Sequence, residues 1–128
     1  MKDMVRVALD AMGGDNAPAE IVKGAIEAVN EKEQIQVLLV GKEEEIQKEL
    51  KKYSYSEEQI KVVKADEVIT NDEAPVMAIR RKKDSSIVVA LNLIKAGEAD
   101  AFVSCGSTGA VLAGGQLIAG RIPGIKRS

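Results

Sequence analysis

The heptapeptide Ile35–Gly41, IQVLLVG, is apolar at almost every position. A strand with one wet face alternates apolar and polar residues, whereas one that reads apolar throughout must be covered on both faces. Three further short, Val- and Ile-rich or apolar runs flank it: MVRVAL (Met4 to Leu9), IKVVKA (Ile60 to Ala65) and DAFVS (Asp100 to Ser104). Helical spacing fills the intervals. Ile21, Val22, Ala25, Ile26 and Val29 recur on one face, with Pro18 at the first turn and Asn16 as a possible cap. KEEEIQKELKKY carries the narrow stripe Ile46, Leu50 and Tyr53, with its acids early and its lysines late, as the helix dipole favours. A third helix is expected from Pro75 through VMAIRRKK. A fourth is capped by Asp84 or Ser85, buries Ile87, Val88, Leu91 and Ile94, and stops at Gly97; another helical segment is expected near Ala110 to Ala119. Strand and helix in alternation mean βαβ units, hence an α/β fold with a parallel sheet and helices on both faces, an α/β/α three-layer arrangement. No repeat, low-complexity tract or internal linker interrupts residues 1–128.

Composition narrows the function. The chain has no His, which excludes a Ser-His-Asp triad, a Cys-His dyad or a His-based metal site within it. Its one Cys permits no internal disulfide and no Cys-rich zinc site. Aromatics at 2% and a net charge of −2 argue against stacking on, or general binding to, nucleic acid. No apolar run is long enough to span a bilayer, and MKDMVRVALD lacks the apolar core of a signal peptide.

Ligands of parallel sheets sit beyond the carboxyl ends of the strands. Two loops leave such ends with conspicuous chemistry: DAMGGDNAP after the first strand and SCGSTGA after the fourth. In SCGSTGA, open backbone N–H groups around Ser107 to Ala110, the hydroxyls of Ser104, Ser107 and Thr108, and Gly106 and Gly109 can cradle an anion; a tight, capped turn is the equal alternative. The loop has neither the Gly-Lys-Ser/Thr of a Walker A loop nor G-x-G-x-x-G spacing. Cys105 reads as a small inert side chain, since no His is present to act as base. Asp10 and Asp15, around Gly13 and Gly14, read first as structural or positioning carboxylates and second as metal ligands. Arg80, Arg81, Lys82 and Lys83 are four consecutive cations, either a solvated surface or a site that collects an acidic partner or a phosphate. Whether the two loops meet depends on strand order, which periodicity does not supply.

Taken together and in order, ALDAMGGDNAP, ADEVI, AIRRKKDSSI, SCGSTGA and GRIPGIKR resemble the bacterial phosphate acyltransferases of phospholipid synthesis, over essentially the whole chain. The resemblance implies transfer of a fatty acyl group from acyl carrier protein to inorganic phosphate. The acyl-phosphate would pass to a downstream membrane acyltransferase that acts on glycerol 3-phosphate. It also implies a fold akin to phosphotransacetylases and isocitrate/isopropylmalate dehydrogenases, a homodimer, and a cytoplasmic location with loose membrane association. Neither cofactor nor metal is implied. On this reading Asp10, Asp15 and Asn16 form a catalytic wall, and Gly13, Gly14, Gly106, Ser107, Thr108 and Gly109 bind phosphate or acyl-phosphate. Arg80, Arg81, Lys82 and Lys83 dock the carrier protein. This sequence departs from the family at Asn16, where His is frequent, and at Cys105 and Ser107, where Ala and Asn are common. Family members are longer, so the chain is expected to be an N-terminal α/β portion without turnover of its own. The rival readings are a phosphotransacetylase-like transferase using acyl-coenzyme A, a non-catalytic folding or dimerisation fragment, and, from fold kinship alone, a nicotinamide-dependent decarboxylating dehydrogenase.

Overall fold

A computed structural model describes residues 4–14, 16–69 and 73–104. In chain order the elements are β1 (Val5–Asp10), α1 (Ala19–Glu31), β2 (Ile35–Gly41), α2 (Glu43–Leu50), β3 (Ile60–Lys64), α3 (Pro75–Arg81), α4 (Ser86–Lys95) and β4 (Ala101–Val103). The expected helical segment near Ala110 to Ala119 lies outside the described residues. The four strands form one sheet in the order β3-β2-β1-β4, and every pair is parallel. β1 registers Val7 on Val37 of β2 and on Ala101 of β4.

Strand pleat sorts the core into two layers. Val37 and Leu39 of β2 and Ile60 of β3 pack with Val22, Ala25, Ile26 and Val29 of α1 and with Ile46 and Leu50 of α2. The alternate residues Ala8, Leu38 and Val40 pack with Ala65 and with Ala90 of α4. A third cluster joins α3 to α4 through Ile69, Ala78, Ile79, Ile87, Val88 and Leu91, and Phe102 of β4 packs against both it and the α4 layer. β2 is therefore buried on both faces, which is why IQVLLVG shows no alternation.

Local chemistry ends the elements where they end. Ser85 caps α4 by accepting from the Val88 N–H at 3.2 Å. At the other end Gly97 takes φ +78°, its N–H donates to Ile94 O and that of Glu98 to Leu93 O, the paired bonds of a Schellman turn. α1 differs from expectation. Pro18 occupies its cap position with no side-chain cap bond, and Asn16 contributes its backbone carbonyl, which accepts from the Glu20 N–H at 3.1 Å. α3 stops at Arg81 rather than running through Lys83, because Lys82 folds back: its Nζ donates to Val68 O at 2.8 Å and meets Glu73 Oε2 at 2.9 Å.

Two polar devices fasten the amino ends of the strands. The buried Gln59 amide donates from Nε2 to the carbonyls of Val29, Lys32 and Ile35 at 2.7–3.1 Å, tying the end of α1 to β2 and β3. Asp100 accepts from the Arg6 backbone N–H at 2.8 Å and from its guanidinium, which also reaches Gly97 O. The side-chain hydrogen bond from Arg6, then its backbone N–H, holds the Asp100 carboxyl below its ordinary value, and the same contact raises Arg6. No helix among the described residues is long and apolar enough to cross a membrane.

Gln59→Ala is expected to lower unfolding stability in urea by about 1–3 kcal/mol, since it strands buried carbonyls. Asp100→Asn should lower the urea midpoint at neutral pH. A depressed folded-state pKa stabilises above the unfolded carboxylate's pKa and is lost as pH falls through the folded one. The gap between variant and wild type should therefore close in acid, below the usual carboxylate range, and a gap unchanged across that range would contradict the assignment.

Candidate functional site

β1 and β4 are neighbours, yet the helices joined to them lie on opposite faces: β1 continues into α1, while β4 is reached from α4 on the other side. This is a topological switch point, where parallel sheets open a crevice beyond the strand ends. The loops that follow β1 and β4 both start there.

Asp10, the last residue of β1, is 1% exposed. A buried carboxylate is tolerable only when hydrogen bonds replace its water. Its Oδ1 accepts from the Met12 N–H at 3.0 Å, turning its own chain in an Asx turn, and its Oδ2 accepts from Ser104 Oγ at 2.8 Å. Asp10 thus joins the carboxyl ends of β1 and β4 across 94 positions of sequence. The Ser104 hydroxyl was expected among the donors to an anion; its proton instead goes to Asp10.

The loop after β1 is held closely at its start. Ala11 is fully buried and its N–H extends the ladder to Val40 O at 2.9 Å. Met12 lies over the end of β2: a Cβ on Gly41 would come within 2.6 Å of Met12 Cγ, so this closing residue of IQVLLVG must be glycine for Met12 to sit there. Gly13 is buried, and Gly14 adopts φ +93°, a left-handed conformation that a side chain would strain. Asn16 is exposed. Asp15 lies outside the described residues, as do Cys105, Gly106, Ser107, Thr108 and Gly109 of the second loop.

α4 begins at this same end of the sheet. The loop after β3 is stitched to it: the Ser86 N–H donates to Glu67 O at 3.1 Å, the Asp66 N–H to Asp84 Oδ2 at 3.0 Å, and the Asp84 N–H to Glu67 Oε1 at 3.3 Å. The cationic run leads directly into this turn. Arg80, Arg81 and Lys83 are exposed, while Lys82 is half-buried against Glu73 and Val68 O. Among the first-loop residues the structure brings together Asp10, Gly13 and Gly14. Arg80 and Arg81 close α3, and Lys82 and Lys83 lie in the turn that leads to α4. Two residues escaped sequence reasoning. Gly41 was hidden inside an apolar run, with the glycine itself as its only signal. Ser86 was overshadowed by Ser85, although the pair SS just before an apolar helix marks both.

The arrangement sets a buried, hydrogen-bonded carboxylate and a glycine-rich turn at the carboxyl end of β1, with the amino end of α4 at the same end of the sheet; this is the position where parallel sheets take a ligand.

Comparison with known proteins bears on what fills it. The profile of the family described as fatty acid synthesis protein matches residues 5–128. A phosphate acyltransferase of Clostridium acetobutylicum is 54% identical over 121 residues, covering 94% of this chain and 37% of that protein. One from Clostridium kluyveri is 56% identical over 121 residues, covering 94% and 36%. One from Syntrophomonas wolfei is 56% identical over 123 residues, covering 96% and 38%. The chain therefore spans little more than a third of the length of the curated relatives it matches.

Asp10→Ala should cost about 2–3 kcal/mol in urea unfolding, because it leaves Ser104 Oγ and the Met12 N–H without their charged acceptor. Amide exchange should quicken at Met12, and unchanged protection there would remove Asp10 from its part in shaping the loop.

Proposed function

The chain belongs to the fatty acid synthesis protein family, and from that premise we propose that the complete protein transfers a fatty acyl group from acyl carrier protein to inorganic phosphate. In this reaction a phosphate oxygen attacks the thioester carbonyl. A carbon–oxygen bond to phosphate forms, the carbon–sulfur bond breaks, and the carrier's thiol leaves with a proton. Phosphate is already anionic at neutral pH, so the enzyme's task is to hold it against the carbonyl and to stabilise the oxyanion. Neither task needs a His.

The observation that carries the reading is the 2.8 Å bond between Ser104 Oγ and Asp10 Oδ2. It sets the roots of the two loops side by side, so a phosphate held by Gly106, Ser107, Thr108 and Gly109 would face Asp10, Gly13, Gly14, Asp15 and Asn16. Arg80, Arg81 and Lys83 are exposed at the approach to the same end of the sheet and have the charge to receive an acidic carrier. Lys82 serves by bracing that segment. The names of the relatives support phosphate as acceptor and an acyl group as cargo. In the same reading the complete protein works as a homodimer in the cytoplasm, loosely associated with the membrane. A glycerol-3-phosphate acyltransferase consumes its product. The 128 residues alone are inactive, which accords with their share of the relatives' length.

The test uses the complete polypeptide with acyl carrier protein thioester and phosphate, scored for acyl-phosphate. Formation from the carrier thioester and little from acyl-coenzyme A is expected; the reverse preference would favour a phosphotransacetylase-like enzyme. Arg81→Glu should raise KM for the carrier several-fold with kcat less affected. Gly109→Val should abolish phosphate binding by calorimetry, and unchanged binding would take residues 106–109 out of the site.

A further inference from the structure

Ser86, the first residue of α4, is 1% exposed, and its Oγ has no hydrogen-bond partner among the described residues. A buried hydroxyl left in that state is costly, and a bound acceptor removes the cost. The neighbouring groups are already engaged. The Ser86 N–H donates to Glu67 O, and Ser85 Oγ accepts from the Val88 N–H. The Ile87 N–H lies in the first turn of α4, where backbone N–H groups have no acceptor within the helix.

The direction of Ser86 follows from helical and strand periodicity. Residues four apart lie one above the other on a helix, so Ser86 stands a turn beyond Ala90 on the stripe that meets the sheet. Ala90 packs on Ala8, Leu38, Val40 and Ala65. The side chain of Ser86 is therefore carried past these residues toward the carboxyl ends of the strands. Residues two apart share a sheet face. Asp10 follows Ala8 by two and Ser104 follows Phe102 by two, and Ala8 pairs with Phe102. Asp10, Ser104 and Ser86 thus share one face and one end of the sheet. The sheet side of that corner carries the negative charge of Asp10. The helix side carries the dipole's positive end and the hydroxyl of Ser86, with the carboxylates of Asp66, Glu67 and Asp84 in the turn stitched to it.

We propose that the first turn of α4 binds a phosphoryl oxygen, with Ser86 Oγ and the Ile87 N–H as donors. This deepens the acyl-transfer reading and rests on it only for the identity of the ligand. The donors hold the anion against nearby carboxylates, Asp10 at the end of β1 and Asp66, Glu67 and Asp84 in the turn stitched to the start of α4. The shared chemistry is a tetrahedral phosphoryl group. It can be inorganic phosphate or the phosphate of a carrier's phosphopantetheine arm.

The experiment compares wild type, Ser86→Ala and Ser86→Cys in the complete polypeptide. Calorimetry measures inorganic phosphate and phosphopantetheine separately, and thermal unfolding is followed without ligand. Loss of a hydrogen bond to a charged acceptor should weaken binding by about tenfold to a hundredfold. Ligand-free Tm should be unchanged or higher, because an unsatisfied buried hydroxyl has been removed; a purely structural serine would lower it. Weakening confined to inorganic phosphate makes α4 the seat of the nucleophile, and weakening confined to phosphopantetheine makes it the seat of the carrier arm. Ser86→Cys keeps the side chain's size with a weak donor, and gives the same reading if the alanine variant fails to fold. Equal affinities for both ligands in wild type and variants would overturn the inference while leaving acyl-phosphate formation untouched. Conversely, weakened phosphate binding in a protein that forms no acyl-phosphate would sustain the inference and sink the acyl-transfer reading.

Discussion

The pairing of β1 with β4 is the contact on which the crevice depends. It joins segments more than ninety residues apart, so it bears the chain entropy of closing the longest loop in the described residues. Polar side chains fasten both of its ends. Arg6 and Asp100 hold the amino end, and Asp10 and Ser104 the carboxyl end. The two fastenings are not equivalent. Arg6 and Asp100 are exposed, so water and salt screen their attraction, and their backbone bonds matter more than their charges. Asp10 is buried, where a broken bond leaves a charge without water. The buried end is also the one where the loops diverge.

Around that contact the apolar layers do ordinary work. α1 and α2 cover one face and α4 the other, and β2 in the middle is sealed by both. The edge strand β4 is covered less: Val103 remains 47% exposed on the face away from α4.

Asp10 places a carboxylate at the end of β1, and the turn into α4 carries Asp66, Glu67 and Asp84 beside the positive end of the helix dipole, just after a run of four cations. Lys82 shows that a run of like charges is not one functional unit. Its ammonium is engaged with Glu73 and a carbonyl, whereas its neighbours are exposed.

Much of the architecture was legible in the residue pattern. IQVLLVG spans β2 without a residue to spare, and Ser85 and Gly97 bound α4 as their chemistry requires. These features depend on neighbours a few positions away, so the chain alone determined them: a β–α alternation, a strand buried on both faces, and the glycine and serine stops. The same local logic erred where a distant partner intervened. α3 ends early because Lys82 finds Glu73 and Val68, and the Ser104 hydroxyl turns to Asp10 rather than outward. Only the tertiary structure decided that β4 lies against β1, that Asp10 meets Ser104, and that the Ser86 hydroxyl is buried with no hydrogen-bond partner among the described residues. Strand order and side-chain pairing across ninety residues arise from packing two faces of a sheet at once, and no periodicity in the sequence encodes which strand a given strand will sit beside.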